Sequence, residues 1–97
     1  VYTEADVDEP VRPDTTRPVV PAYPEALRRA HVAGEAFVEF VVDTAGRVET
    51  ETLSVASATR PEFGSAARDA VIGAHFVPAR RAGKPVRQIV LLPVRFT

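Results

Sequence analysis

At 97 residues the chain is a single small domain, long enough to bury a core but with little surplus, and it has no cysteine to staple that core. Apolar residues make up 45% and charged residues 26%, the balance of a folded domain rather than a disordered one. A formal net charge of −1 excludes a global pull toward nucleic acid or an anionic membrane, and no apolar run approaches the ~18–20 residues of a membrane span. The charge is nevertheless uneven. Glu4, Asp6, Asp8, Glu9 and Asp14 make the start acidic, whereas Arg80, Arg81, Lys84, Arg87 and Arg95 make the end basic. The absence of methionine is what a fragment or processed form would show, with any signal peptide or anchor outside these residues.

Residues 1–20 read as an extended arm. Prolines at 10, 13, 18 and 21 exclude a helix, because each removes a donor and pushes its predecessor toward extended geometry. The arm has room for a short strand at Ala5–Asp8 and otherwise reads as a linker running into a domain over 21–97. Pro24 then opens a helix of about two turns, with Tyr23, Leu27 and Ala30 at helical spacing and Gly34 as its stop.

Glu35–Asp43 alternates, with Ala36, Val38, Phe40 and Val42 on one face. Asp43-Thr44-Ala45-Gly46 supplies a turn, and Arg47–Ser57 returns as a second strand. Val48 is even-numbered but Leu53 and Val55 are odd, so one extra residue near Glu49–Glu51, a bulge, is needed to bring them to a common face. Pro61 begins a second helix with Phe63, Ala66, Ala67, Ala70, Val71 and Ala74 along one stripe, ended by Phe76 and Pro78. Ala82–Pro85 is a returning loop.

The final stretch, Pro85–Phe96, alternates again. Val86, Val90, Leu92, Val94 and Phe96 share one face, interrupted only by Gln88, while Arg87, Ile89, Leu91, Pro93 and Arg95 share the other. Pro93 has no N–H for a ladder, which suits an edge strand or a bulge better than a sheet centre. The expected fold is α+β: a small antiparallel three-stranded sheet with two helices packed on one face, in the order α-β-β-α-β, behind the extended arm.

Little here suggests chemistry. His31 and His75 lack metal-ligand spacing, and Glu39, Glu49 and Glu51 have no visible pocket to perturb them. The basic residues near the end lack interleaved aromatics for nucleic-acid binding, and they can instead complement the acidic arm. There is no phosphate loop and no nucleophile with a base. The chain reads as a non-enzyme with no cofactor and no metal.

The run Tyr23-Pro24-Glu25-Ala26-Leu27, Gly34, Asp43…Gly46-Arg47-Val48, Ala66-Ala67…Ala70-Val71, Phe76-Val77-Pro78-Ala79, Gly83-Lys84-Pro85-Val86 and Leu92-Pro93-Val94-Arg95-Phe96 resembles the TonB C-terminal domain family. The order and spacing of these pieces carry the resemblance, over roughly residues 20–96. The family's Gln-Pro-x-Tyr-Pro falls on Val20–Pro24, with valine for glutamine. Its Trp-Arg-Phe/Tyr-x-Pro falls on Ala74–Pro78, with alanine for tryptophan and histidine for arginine.

The resemblance implies a periplasmic interaction domain, anchored to the inner membrane by a segment outside this chain. Its implied partners are the TonB box of an outer-membrane TonB-dependent transporter, added as a strand, and an inner-membrane motor complex reached through the missing N-terminal region. The partner contacts expected on this basis are Pro21, Tyr23, Pro24, Arg87, Ile89, Leu91 and Val94. Two other roles fit the same residues: a strand-exchanged homodimer or self-pairing with Val1–Asp8, and an accessory domain of a membrane-anchored envelope peptidase or sensor.

Overall fold

The structure is a computed structural model that describes all residues, Val1–Thr97. Its ordered elements are β1 (Arg12–Pro13), α1 (Glu25–Arg29), β2 (Gly34–Val42), β3 (Val48–Ala58), α2 (Pro61–Ile72), β4 (Phe76–Val77), β5 (Ala79–Arg81), β6 (Lys84–Val86) and β7 (Gln88–Phe96). The main sheet is antiparallel with order β3-β2-β7. It is the three-stranded α+β arrangement the alternation predicts. Two small pairs, β1–β4 and β5–β6, lie outside it.

The core forms where the even-numbered face of the sheet meets α2. Ala36, Val38, Phe40 and Val42 from β2 are fully buried against Phe63, Ala67 and Val71 of the helix. Burying a side chain such as Phe63 contributes about 2–3 kcal/mol. The alanine stripe permits a close approach, and so does Gly34. A Cβ there would sit 2.5 Å from Cε2 of the Phe63 ring and 2.2 Å from Oγ1 of Thr59. Gly34 is therefore a packing residue. The stop of α1 lies earlier, at His31, whose backbone turns left-handed at φ 55° and leaves the helix only five residues long.

The hairpin turn is held by Asp43, whose Oδ1 accepts from the N–H groups of Ala45 and Arg47, both at 2.9 Å. The expected bulge is larger than a single residue. Between the pairs Glu39–Ser54 and Val41–Glu49, β2 has one residue, Phe40, but β3 has four, Thr50–Leu53. Thr52 bridges the interruption: its Oγ1 accepts from Val41 N–H at 2.9 Å and donates to the Glu49 carbonyl at 2.6 Å. A second irregularity falls beside Phe37 and Val38, where Ala56 is the extra residue. Together these return Val48 and Val55 to the face of Val42 and Val38, and Leu53 packs against the core.

Three expectations need correcting. Ala5–Asp8 is not a strand; a 3₁₀ turn spans Glu4–Asp6, and the arm pairs through Tyr2, Glu9 and β1 instead. Phe76 does not end the helix but begins β4, since α2 stops at Ile72. The expected loop at Ala82–Pro85 is shorter: Ala82 and Gly83, both left-handed at φ 52° and 76°, close a hairpin, and Lys84 and Pro85 already belong to its second strand, β6.

Candidate functional site: the outer edge of the final strand

β7 has one strand neighbour, β2, paired from Gly34–Phe96 to Val42–Gln88. Its opposite edge faces outward. The direction of its backbone groups follows from one contact. Tyr2 donates its N–H to the Arg87 carbonyl at 3.1 Å, and its carbonyl accepts from Ile89 N–H at 2.9 Å. Successive residues of a strand alternate sides, so Leu91, Pro93 and Arg95 direct their backbone groups to the same outer edge. None of these three makes a backbone hydrogen bond outside the sheet. The free edge therefore offers the N–H groups of Leu91 and Arg95 and the carbonyls of Leu91, Pro93 and Arg95. Pro93 falls where a missing N–H costs the sheet nothing.

Both clefts of the molecule border this edge. One, of about 370 Å³, runs between Leu92–Arg95 and the arm residues Pro13, Pro18, Val19 and Pro21, with Phe76 at its base. The other, of about 260 Å³, lies between Ile89–Leu91 and Glu4 and Val11 of the arm. The arm is thus a wall of the site. It is tied down by Val11 N–H on Oε1 of Gln88 (2.9 Å), Asp8 N–H on the Arg80 carbonyl (2.9 Å), Ala82 N–H on Oδ2 of Asp8 (2.7 Å) and Asp14 N–H on the His75 carbonyl (3.3 Å). The acidic arm and the basic end do meet, but through backbone hydrogen bonds; no ion pair links them.

The expected contact residues divide. Ile89 and Leu91 lie on the outer edge, and Leu91 is 57% exposed. Pro21 lines the larger cleft. Val94 is turned the other way: 5% exposed, in the core and paired with Ala36, it reaches the larger cleft only as part of its lining and not at the outer edge. Tyr23 is half-buried, edge-on to both Phe63 and Phe96 at 5.8 and 5.7 Å, with its hydroxyl donating to the Val32 carbonyl. Pro24 precedes the first residue of α1. Arg87 is engaged by Glu49 across the sheet, Nε to Oε2 at 2.6 Å and Nη2 to Oε1 at 2.7 Å. That bond holds the Glu49 carboxyl below the usual carboxylate range.

Tyr2, Val11, Pro13 and Gln88 also belong to the site; the expected self-pairing of the edge with Val1–Asp8 occurs at Tyr2 alone, and Val11, Pro13 and Gln88 were not expected there. Gln88 left a signal, as the one polar residue in an apolar stripe. It is 3% exposed, and its amide is what holds Val11.

A three-stranded α+β sheet with an unpaired stretch of strand edge, flanked by a proline-lined cleft, is an arrangement suited to taking up an extended segment. The sequence pattern described as Gram-negative bacterial TonB protein C-terminal matches residues 19–97, and the chain belongs to that family of non-catalytic periplasmic interaction domains. The fold is similar to the solution NMR structure of the Pseudomonas aeruginosa TonB CTD, with a TM-score of 0.70 at 23% identity, over 93% of this chain and 88% of that one. No curated protein sequence matches.

Proposed function

We propose that this domain captures an extended segment of an outer-membrane transporter, its TonB box, by adding it as a strand to the outer edge of β7. The observation that carries this reading is the row of unbonded backbone groups at Leu91, Pro93 and Arg95 beside a cleft. Backbone hydrogen bonds supply affinity in such a mode, and side chains at alternate positions supply selectivity. In the same reading, a segment preceding the domain anchors it in the inner membrane and links it to a proton-driven motor complex, whose work the captured segment passes to the transporter. Ile89, Leu91 and Pro21 contact the partner. Tyr23 and Pro24 position the chain that walls the cleft.

The test is an amide NMR titration with synthetic TonB-box peptides from transporters of the same bacterium. Shifts concentrated on Leu91–Phe96 and around Pro18–Pro21 are expected. Silence at about millimolar peptide, together with a dimer in sedimentation, would transfer the edge to a second copy of the chain.

A further inference from the structure

Tyr2 sits on the same edge that the partner segment is proposed to use, and it runs parallel to β7. Its two backbone hydrogen bonds, to Arg87 and Ile89, are those an added strand would make there. The arm then leaves the edge at once. Thr3 and Asp6 close a 3₁₀ turn, with Thr3 N–H and Oγ1 both donating to Oδ2 of Asp6 at 3.2 and 2.8 Å. That turn places Glu4 against Ile89–Leu91, and beyond Ile89 the arm makes no backbone hydrogen bond to β7. The Arg81 guanidinium lies 4.9 Å over the Tyr2 ring and holds it from the other side.

We infer that the Tyr2 segment is an intramolecular competitor for the N-terminal part of the β7 edge, so that a short partner strand binds beside it and a longer one binds only by displacing it. This rests on the reading of that edge as a peptide site. The free groups begin at Leu91, so a segment spanning Leu91–Arg95 breaks no existing backbone hydrogen bond. A segment reaching back to Arg87 must break the bonds of Tyr2 and unwind the turn at Thr3–Asp6. The competitor is tethered, so it acts at high effective concentration and dissociates without leaving the molecule. The device sets how far a partner can zip along the strand.

The test uses two TonB-box peptides from one transporter, of about five residues to match Leu91–Arg95 and about nine to match Arg87–Arg95. Each is titrated into the isotope-labelled chain and into its Tyr2→Pro variant, which lacks the N–H bonded to Arg87. Tyr2→Phe, which keeps both the N–H and a ring for Arg81, is the control. The longer peptide is expected to bind the Tyr2→Pro variant about tenfold more tightly than the parent, roughly the worth of one to two net hydrogen bonds. The shorter peptide should bind the two alike, and Tyr2→Phe should match the parent with both.

Only the longer peptide should shift the Tyr2 and Ile89 amides of the parent. Equal affinity of the longer peptide for the parent and Tyr2→Pro, with β7 amides shifting in both, would overturn the competition and leave the peptide site standing. No β7 shift in any variant would overturn both.

Discussion

Arg87 and Glu49 reach each other across an intervening strand. Arg87 immediately precedes β7 and Glu49 lies on β3, with β2 between them, yet the guanidinium and carboxylate meet at 2.6 and 2.7 Å. The pair crosses β2 beside Val41, which points away from the helices and is nevertheless only 5% exposed. At the other end of the sheet Glu35 and Arg95 make a looser pair at 3.6 Å. The face that carries no helix is thus bracketed by charge rather than covered by a second layer.

That pair gives the domain a defined acid response. Glu49 titrates below its ordinary value because Arg87 hydrogen-bonds its charged form. A carboxyl depressed in the folded state adds stability above its unfolded value, and that stability fades as pH falls through the folded one. Asp6 and Asp14 are lowered too, chiefly by the hydroxyls of Thr3 and Thr16. Glu49→Gln should therefore melt below the parent near neutral pH. The gap should narrow as pH falls below the ordinary carboxylate range and close once Glu49 is protonated in the folded state as well. Melting temperatures across that range decide it, and a gap of constant size would mean the ion pair is not its source.

Fold and binding should separate at neighbouring positions of β7. Val90 is on the core side and pairs with Phe40, so Val90→Asp places a charge against the core and should unfold the domain or cost several kcal/mol. Leu91 points outward in both side chain and backbone. Leu91→Pro removes an N–H that the sheet does not use, and extended geometry tolerates it at an edge. It should leave the melting temperature within a few degrees of the parent while abolishing the β7 amide shifts with peptide. Loss of folding in both variants would mean that the outer edge is structural.

Gly46 should tolerate no side chain. Its φ is +84°, and a Cβ would lie 2.0 Å from the Phe76 carbonyl oxygen. Gly46 also accepts Phe76 N–H at 2.9 Å, so the turn of the β2–β3 hairpin is what docks β4 and, through β1, the arm. Gly46→Ala combines left-handed strain of about 1–2 kcal/mol with a backbone clash. A loss of at least ~2 kcal/mol in chemical denaturation is expected, with faster amide exchange at Phe76. A variant as stable as the parent would show that this contact is loose in solution.

The main sheet was legible because its faces differ: alternation placed Ala36, Val38, Phe40, Val94 and Phe96 in the core, and the helix stripe placed Phe63 and Val71 opposite them. The proline in β7 marked an edge. Local pattern carries no information about what a polar, irregular segment leans on, so the path of residues 1–20 was not legible. Tyr2, Asp8 and Val11 are held by residues 72 to 87 positions away, largely through backbone groups that every residue possesses. Val94 shows the opposite limit. Family likeness placed it at the binding edge, and its even position in the alternation already turned it inward.

Tyr23 tests whether a residue expected to touch the partner acts through the fold instead. Its ring is edge-on to Phe63 and Phe96, which stack on each other at 4.5 Å, and its hydroxyl is spent on the Val32 carbonyl between α1 and β2. Tyr23→Phe keeps the rings and removes one hydrogen bond, a loss of about 1 kcal/mol that lowers the melting temperature by roughly 4–8 °C. Tyr23→Ala removes the ring as well and should cost about 3 kcal/mol or more. If Tyr23 works by positioning the chain between Val19 and Pro24, peptide affinity measured well below the melting temperature should be the same in Tyr23→Phe and the parent. A drop in affinity of tenfold, about 1.4 kcal/mol, without a matching change in stability would place the hydroxyl on the partner.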